Sequence, residues 1–451
     1  MKFKGKKNSW LKVVSLGGWG KVNQNMFVYE SSNDIIIVDC GVDFPDDTAS
    51  EVEVIIPDTS YLKDRKNKIR GIIISHGHLD HFGALPFILP AIGNPPVFAT
   101  RLAEGFIQAR MSEFNITRPK TRVITPDGGV INLGAFKVTP FGVNHSVPES
   151  LGLCLETPVG KIFHVSDFKF DMTPVEGRVF QIGKVARLAY PNVLALFSDC
   201  LGAVNGGYTS SEKKIETIFD QIVGKAKGQV FITSVSSNIS RFQQAVKVSL
   251  EHGRKIVILG RSVEEKIRVA QRLGYLKIKE KNIVPLKKAK KLPQKGLTYL
   301  IAGSYGQTNS ALSRLAEDDY RYVKLEEGAV VVFSADPSPP GSKRAVDTLV
   351  DKLTLRGAEV HYYEIQENLH VSGHGSAGDI RLLFTLVKPK YFVPIGGDPR
   401  HVRAGSLLAR EMGAPEEQVL ELFDGEVIQF SENQARIADR ITIKGVPIKS
   451  Q

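Results

Sequence analysis

Short apolar segments separated by turns dominate the first 200 residues of the chain. Two longer segments there have helical periodicity, HFGALPFILPAI and TRLAEGFIQARMSEF. The others are rich in β-branched and aromatic residues, a pattern typical of strands. They are WLKVVSL, NMFVYES, DIIIVDCG, KIRGIIISHG, PVFAT, TRVITP, FKVTPFGVN, LGLCLET, GKIFHVSD and VLALFSD. We therefore predict a sheet packed on a sheet with helices outside, and not a doubly wound parallel sheet.

The pattern changes near residue 209, after which helical and strand segments alternate. They are SSEKKIETIFDQIVGKA, GQVFITSV, ISRFQQAVKVSLEHG, KIVILG and SVEEKIRVAQRLGYL. Such alternation predicts a parallel α/β domain. A third region begins at GDIRLLFTLVKPKYFVPIGG, which predicts a helix and a strand. It continues with the predicted helix VRAGSLLAREMG and the predicted strand EVIQFSE.

Composition narrows the class of protein. The 451 residues are 42% hydrophobic, enough to bury two or three cores. Lys and Arg total 59 against 48 Asp and Glu, and the net charge of +11 favours polyanionic partners. Cys40, Cys154 and Cys200 share no CxxC spacing, which argues against a disulfide framework or a thiolate zinc site and favours a reducing cytoplasm. The N-terminal segment lacks the apolar core of roughly 7 to 15 residues that an export signal needs, and no later apolar run approaches ~18 residues, so we expect neither an export signal nor a membrane span.

One histidine-rich motif carries the strongest chemical signal. The segment IIISHGHLDHFG ends an apolar strand with His76, His78, Asp80 and His81. Residues packed this closely on a loop cannot all enter the core. Imidazole and carboxylate groups suit zinc or manganese, and the alternate residues His76 and His78 can reach one ion while Asp80 and His81 face another.

Polar residues also follow other apolar strands. Asp39 comes after IIIV, His145 after FGVN and Asp167 after IFHVS. Taken singly, each is as well explained as a turn former or a satisfied histidine. Together they predict further ligands for the same site.

These motifs resemble a known family. HxHxDH with the later His and Asp resembles the metallo-β-lactamase fold. Further segments are similar to ribonuclease J, in the β-CASP branch of that fold: VDCGVDFPDD, IIPDTSYL, VNHSVPES, FHVSDFKFDMTPV, SDCLGAVNGGYTSSE, LHVSGHGS and VKPKYFVPIGGDPRHVRAG. The resemblance covers essentially the whole chain. It implies an α/β fold in which residues 1–209 and 369–451 build a metallo-β-lactamase αββα sandwich, with a β-CASP α/β domain inserted at residues 210–368.

The resemblance also implies a site with two divalent metal ions. The implied ligands are His76, His78 and His145 for the first ion, Asp80 and His81 for the second, and Asp167 between them. The implied catalytic residues are Asp80, His81, Asp167 and His374. Asp39 and Asp199 would support the site from behind the ligands, and His374 would contact the scissile phosphate. Zinc is the expected ion, with Mn²⁺ or Mg²⁺ as alternatives at the weaker second position.

Two loops suit RNA phosphate. Ser236, Ser237 and Asn238 lie between a predicted strand and a predicted helix, where hydroxyl and backbone N–H groups can hold an anion. Helix capping explains any one of these residues equally well. The resemblance implies a pocket for a 5′-monophosphate near them, with the second loop supplying His370, Ser372 and His374.

The segment YFVPIGGDPRH departs from the family pattern. Gly396 stands where the family has a histidine that completes the second metal's ligand set, and Gly405 stands at a second family histidine. His401 lies between them, and Asp398 falls on the family's acidic position. We expect a weaker and more open second site, with hydrolysis retained but altered.

The resulting hypothesis is a cytoplasmic, metal-dependent ribonuclease of RNA processing or decay. It would cleave single-stranded RNA as a 5′ exonuclease, an endonuclease or both. Two alternatives remain open: a catalytically impaired RNA-binding relative, and a small-molecule hydrolase of the same fold. The α/β insertion and the basic charge weigh against the second. Family members commonly carry a further small C-terminal domain, before which this chain stops, and a homodimer is left open.

One lysine-rich segment, KIKEKNIVPLKKAKKLPQK at residues 277–295, is unassigned. A solvated loop is its simplest interpretation, and contact with an RNA backbone is the alternative.

Overall fold

The computed structural model describes residues 9–45, 51–116, 119–337, 341–432 and 434–449. Strands and helices are numbered along the chain. The strands of this part form an eight-stranded, a six-stranded and a five-stranded sheet, with one additional strand pair. The ten strands predicted in the first 200 residues are all confirmed.

The first large sheet is mixed. Its order is β20 (Ala435–Arg440), β19 (Glu426–Phe430), β1 (Leu11–Gly17), β2 (Met26–Glu30), β3 (Ile35–Val38), β5 (Ile69–Ile73), β6 (Val97–Ala99) and β7 (Thr121–Val123). Pairing is parallel from β3 to β7 and antiparallel elsewhere.

The second large sheet packs on the first. Its order is β18 (Pro389–Ile395), β12 (Val193–Asp199), β11 (Gly160–Val165), β10 (Leu151–Thr157), β9 (Phe136–Gly142) and β8 (Ile131–Leu133). β18, β12 and β11 are mutually parallel. Buried side chains from both sheets form one apolar cluster, including Phe27, Tyr29, Phe136 and Phe197, which confirms the predicted sandwich. β8 was not predicted from the sequence, and neither was the strand pair of β4 (Val52–Ile56) and β21 (Val446–Lys449).

The third sheet is entirely parallel and lies within the predicted insertion. Its order is β14 (Lys255–Leu259), β15 (Leu297–Ile301), β13 (Val230–Thr233), β16 (Val330–Phe333) and β17 (Glu359–His361). The chain then returns to the two large sheets through β18 and β19. This topology agrees with an inserted domain, while its limits at residues 210 and 368 stay a prediction.

The helices cover the outer faces of the sheets. They are α1 (Leu79–Phe82), α2 (Leu85–Ala91), α3 (Arg101–Glu113), α4 (Ile182–Ala189), α5 (Lys214–Lys225), α6 (Ile239–Glu251), α7 (Arg261–Leu273), α8 (Leu286–Ala289), α9 (Ala311–Ala316), α10 (Ser342–Leu355), α11 (Ala377–Val387) and α12 (Pro399–Glu411). The single helix predicted at HFGALPFILPAI is two helices in the structure. The first ends before Gly83, and α2 begins as a separate helix with Pro86 in its first turn. Within the described part of the chain, no helix combines the length and apolarity needed to cross a bilayer.

Helices α3 and α7 hold the inserted segment against the first sheet. A Cβ at Gly105 of α3 would lie 2.7 Å from a methyl group of Val269 and 2.9 Å from one of Leu273, so only glycine allows this approach. One apolar cluster accordingly continues from α2 and α3 into α5, α6 and α7. The two parts of the chain share a core, which fixes the walls of the site described next.

Candidate metal centre

The parallel strands explain why distant residues meet at one edge of the sandwich. Asp167, Asp199 and Gly396 lie at or just after the carboxyl ends of the adjacent parallel strands β11, β12 and β18. In the facing sheet, Asp39 and His76 follow the parallel strands β3 and β5. Carboxyl ends of parallel strands share one sheet edge, so sequence-distant polar residues are delivered to the same place.

Three histidines and one aspartate form the first cluster. The Nε2 atoms of His76 and His145 each lie 3.0 Å from Nδ1 of His78. Oδ2 of Asp167 lies 3.5 Å from Nε2 of His76 and 3.3 Å from Nε2 of His145. One candidate ligand atom from each of the four residues lies within 4.8 Å of every other.

The outward nitrogen of His145 determines which atom faces inward. Its Nδ1 lies 2.8 Å from the carbonyl oxygen of Gly373, which can only accept, so Nδ1 carries the proton and Nε2 presents a lone pair to the cluster. The outward nitrogens of His76 and His78 similarly contact hydroxyl groups, of Ser75 at 2.9 Å and Ser146 at 3.1 Å. With these outward contacts, the inward ring nitrogens and Oδ2 of Asp167 can offer lone pairs to one cation. The donor set therefore fits a divalent metal ion.

Burial keeps these imidazoles in the metal-binding form. It lowers the pKa of His76 and His145 well below the usual histidine value, and that of His78 to about 4. All three rings are then neutral near pH 7, the protonation state that ligates metals.

The second cluster is richer in oxygen. Nε2 of His81 lies 3.3 Å from Oδ2 of Asp80 and 3.4 Å from Oδ1 of Asp167, and the three residues form a second potential metal-binding group. Burial lowers the pKa of His81, but the carboxylates of Asp167, Asp80 and Asp39 outweigh it and raise the pKa well above its usual value. A site with this excess of negative charge also fits a cation, and its oxygen ligands tolerate Mn²⁺ or Mg²⁺ as well as zinc.

Asp39 holds both clusters from behind. Its fully buried carboxylate contacts Nδ1 of His81 at 2.8 Å and accepts hydrogen bonds from Ser75 N at 2.7 Å, Ser75 Oγ at 2.9 Å and Ser166 Oγ at 3.1 Å. The two serines were not predicted as site residues, although each directly precedes a predicted ligand. Asn25, whose Nδ2 lies 3.2 Å from Nε2 of His81, was not predicted either.

Asp199 and His374 form a hydrogen-bonded pair beside both clusters. Nδ1 of His374 lies 2.8 Å from Oδ2 of Asp199, and its Nε2 lies 3.8 Å from Oδ2 of Asp167. Burial lowers the pKa of His374, but Asp199 and Asp167 outweigh it and raise the pKa to about 9. His374 is therefore cationic near neutral pH, with one N–H held by Asp199 and the other available to the site.

Gly396 leaves open space beside Asp199 of this pair. Its φ is +67°, and a Cβ there would have only Oδ1 of Asp199 within 4 Å, at 3.7 Å. Asp398 instead caps the N-terminus of α12. Its carboxylate accepts a hydrogen bond from the backbone N–H of His401, and Nδ1 of the His401 ring accepts one from the backbone N–H of Asp398 at 3.1 Å. Among the described residues, neither Asp398 nor His401 belongs to a potential metal-binding group. Gly405 packs closely against Cys200, because a Cβ added at position 405 would lie 3.1 Å from the Cβ of Cys200.

The two loops predicted to bind phosphate, around residues 236–238 and 370–374, are called the second zone of the site. Asn238 caps α6, with Oδ1 accepting from the N–H of Arg241 at 2.9 Å, while Ser236 and Ser237 precede it in the same turn. The Ser372 hydroxyl accepts from the N–H of His374 at 3.0 Å. His370 has a buried Nδ1 without a hydrogen-bond partner among the described residues, and burial lowers its pKa to about 3.

A buried ionic network that the sequence analysis missed connects these loops. Arg241 donates from Nε to Glu212 at 2.6 Å and from Nη1 to the carbonyl oxygen of Leu369 at 3.3 Å. Lys169 donates to the carbonyl oxygen of Ser372 at 3.0 Å. The segment that carries His374 is thus tied to the third sheet on one side and to the strand end of Asp167 on the other. The sequence signal for this network was a basic residue next to buried aromatic positions, Lys169 in SDFKF and Arg241 in SRFQQ.

Comparison with known proteins identifies two family regions. Residues 19–189 match the family described as "Metallo-beta-lactamase superfamily", and residues 227–353 match "Ribonuclease J, beta-CASP domain". The second match lies within the predicted insertion, and together they agree with the resemblance described above.

Whole-chain similarity extends to several named proteins. Ribonuclease J of Synechocystis sp. is 34% identical over 433 residues, which cover 96% of this chain and 67% of that protein. Ribonuclease J of Thermus thermophilus is 34% identical, covering 93% and 74%, and Ribonuclease J2 of Bacillus subtilis is 32% identical, covering 96% and 77%. A solved structure of a protein of unknown function from Enterococcus faecalis V583 aligns with a TM-score of 0.62, at 15% identity, over 93% of this chain and all of that one. The structural likeness supports the fold alone.

Proposed function

Because this chain belongs to the ribonuclease J family, we propose that it is a metal-dependent ribonuclease. Its substrate in this proposal is single-stranded RNA, cleaved from the 5′ end, internally or both. The observation that carries the proposal is the convergence of His76, His78 and His145 on Asp167, with Nε2 of His76 and Nε2 of His145 each 3.0 Å from Nδ1 of His78. Neutral imidazole nitrogens and a carboxylate gathered in this way are a typical zinc-ligand set.

The chain would hold two divalent ions. His76, His78, His145 and Asp167 would ligate the first, and Asp80, His81 and Asp167 the second. Bound there, such ions would supply the Lewis acidity that activates water and offsets charge on a phosphodiester. Zinc suits the nitrogen-rich first cluster, and Mn²⁺ or Mg²⁺ is an alternative at the second.

The chain's own residues would do the remaining work. Asp167 faces both clusters, so one carboxylate would set the spacing between them. Cationic His374, oriented by Asp199, can donate its second N–H to a non-bridging oxygen of the scissile phosphate or to the departing oxygen. Asp39 would keep His81 oriented, a support whose loss typically weakens metal binding 10- to 100-fold, as an order of magnitude. No serine or cysteine nucleophile is required.

The second zone would receive the 5′-phosphate. Ser236, Ser237, His370 and Ser372 supply hydroxyl, imidazole and backbone donors, and the buried network of Arg241 brings the two loops together. Asn238 would contribute less, because its side chain already caps α6. The three cysteines are free, in agreement with the proposed cytoplasmic location.

Catalysis can be tested directly with 5′-monophosphorylated single-stranded RNA. Metal-defined protein is expected to release mononucleotides or fragments, and the variant carrying Asp80→Ala and His81→Ala is expected to release neither. Both residues lie in the second cluster, so the first cluster stays intact in the control. Stoichiometric RNA binding without cleavage in Zn²⁺, Mn²⁺ and Mg²⁺ would overturn the proposal and leave a non-catalytic RNA-binding protein.

Metal content tests the effect of Gly396. The second cluster has one imidazole and two carboxylates, so we expect about one tightly retained metal ion per chain after mild chelation, and a second only at elevated Mn²⁺ or Zn²⁺. Elemental analysis after dialysis measures both. Asp80→Asn should abolish the second ion and leave the first unchanged. Two ions retained after chelation would show that another group compensates for Gly396.

A further inference from the structure

We propose that residues 277–295 form a docking surface for single-stranded RNA outside the metal centre. We call this segment the lysine strip, and the inference rests on the proposed function because it assigns the strip to the same substrate. The strip would hold the part of a long RNA that extends beyond the site, without taking part in the reaction.

The charge of the lysine strip is dense and unneutralised. Every one of its lysines is exposed: Lys277, Lys279, Lys281, Lys287, Lys288, Lys290, Lys291 and Lys295. Its only acidic residue is Glu280. Within the part of the chain that the structure describes, none of these lysines forms an ion pair with a carboxylate, whereas exposed Lys247 pairs with Glu216 and Lys352 with Glu317.

The lysine strip is anchored to the fold. Leu276, Val284 and Ala289 are almost fully buried, and Ile283 forms a β-bridge with Ile256 at the edge strand β14. The apolar residues therefore fix the backbone while the lysines between them face solvent. Cations placed in advance on an ordered surface lose less conformational entropy on binding than cations on a mobile tail.

The strip begins near the metal centre. Tyr275, two residues before Lys277, lies beside Glu149 and interacts electrostatically with Arg178. The carbonyl oxygen of Arg178 accepts from Nδ2 of Asn144 at 2.7 Å, and Asn144 directly precedes the metal-cluster residue His145. The contacts of Tyr275 and Asn144 therefore connect the start of the strip to the wall of the site, although Arg178 between them is paired with Glu149 at 3.8 Å.

RNA is the occupant that this arrangement favours. Lysine ammonium groups bind phosphates as point charges without base specificity, which suits an enzyme that handles many sequences. The strip presents no exposed aromatic ring for base stacking, so its contribution would be electrostatic and strongly dependent on salt. Long RNA would reach the strip and very short RNA would not.

The test compares two variants that each remove four positive charges. The strip variant is K287Q/K288Q/K290Q/K291Q, and its matched control is K63Q/K66Q/K388Q/K390Q, at exposed lysines on other surfaces. Equilibrium binding of labelled RNA of about 30 and about 4 nucleotides is measured in the Asp80→Ala, His81→Ala background, which prevents cleavage. Steady-state cleavage of both RNAs is measured without those two substitutions.

The strip variant is expected to bind the long RNA about tenfold more weakly, with a salt slope reduced by roughly two to three. Its KM for long RNA should rise by a similar factor, while kcat and the KM for short RNA stay unchanged. The control variant and a K287R/K288R/K290R/K291R variant should resemble the parent protein.

Three results separate the possible failures. Equal binding of long RNA by the strip variant and the control would overturn the strip, even if cleavage proceeds. Weakened long-RNA binding in a protein that cleaves nothing would support the strip and overturn the proposed function. Loss of binding to anionic lipid vesicles with unchanged RNA affinity would overturn RNA as the occupant.

Discussion

Replacement of Asp167 by asparagine is expected to reduce RNA hydrolysis by about 1,000-fold or more, the scale at which a central group of a metal-assisted site acts. Among the described residues, Asp167 is the only one shared by both clusters and by a third potential metal-binding group, which it forms with Asp199 and His374. Its two oxygens lie 3.3 to 3.5 Å from ring nitrogens of His76, His81 and His145.

The physical reason is charge rather than shape. Asparagine has nearly the same volume, but its amide is neutral and its NH₂ group would face nitrogens that should act as metal ligands. The pKa of Asp167 is lowered: burial raises it, but the nearby cations His81 and His374 outweigh burial. The carboxylate is therefore ionised in the folded protein, and Asp167→Asn removes a negative charge from between the clusters.

Rates with 5′-monophosphorylated RNA and elemental analysis of the same samples measure this effect. Asp220→Asn is the matched control, because Asp220 is exposed and pairs only with His252 among the described residues. Circular dichroism should show an unchanged fold in both variants. An Asp167→Asn protein that keeps more than about a tenth of the parent rate would contradict the assigned role of Asp167.

Replacement of Arg241 by methionine is expected to destabilise the protein by about 3–5 kcal/mol, the cost of leaving a buried charge without its partner. Arg241 is fully buried, and Glu212 is 6% exposed. Burial raises the pKa of Glu212, but Arg241 outweighs it and lowers the pKa, so the carboxylate is ionised in the folded state. Without Arg241, the Glu212 carboxylate loses its paired cation, while the carbonyl oxygens of Ser334 and Leu369 keep the hydrogen bonds from Ser234 Oγ and Ser334 Oγ.

Equilibrium urea denaturation measures the loss. The double variant Arg241→Met, Glu212→Leu removes both charges and should recover a large part of the stability. Its RNA hydrolysis should remain impaired, because the Arg241 hydrogen bond to Leu369, one of the contacts that position the segment of His374, would still be absent. A single variant as unstable as the double variant would show that packing of the arginine stem, and not its charge, matters.

Part of the fold was readable from short patterns. The strands from WLKVVSL to VLALFSD are each defined by a few β-branched residues between turn formers, so local composition sufficed. β8 and β4 were missed because each is short and partly exposed, and the buried strands β15 and β16 were also not predicted. The helix predicted at HFGALPFILPAI was divided by local contacts at Gly83 that hydrophobic periodicity does not register.

Some residues of the site could likewise be predicted from local sequence, and others could not. His76, His78, Asp80 and His81 could be predicted as one motif because they lie within six residues of each other, and a strand end forces them together. By itself the sequence determined that motif, the strand pattern and the basic charge. Only the tertiary structure decided that Asp199 holds His374 and that Arg241 binds Leu369. Those contacts depend on sheet order and register, which place residues far apart in the chain side by side and which no local pattern encodes.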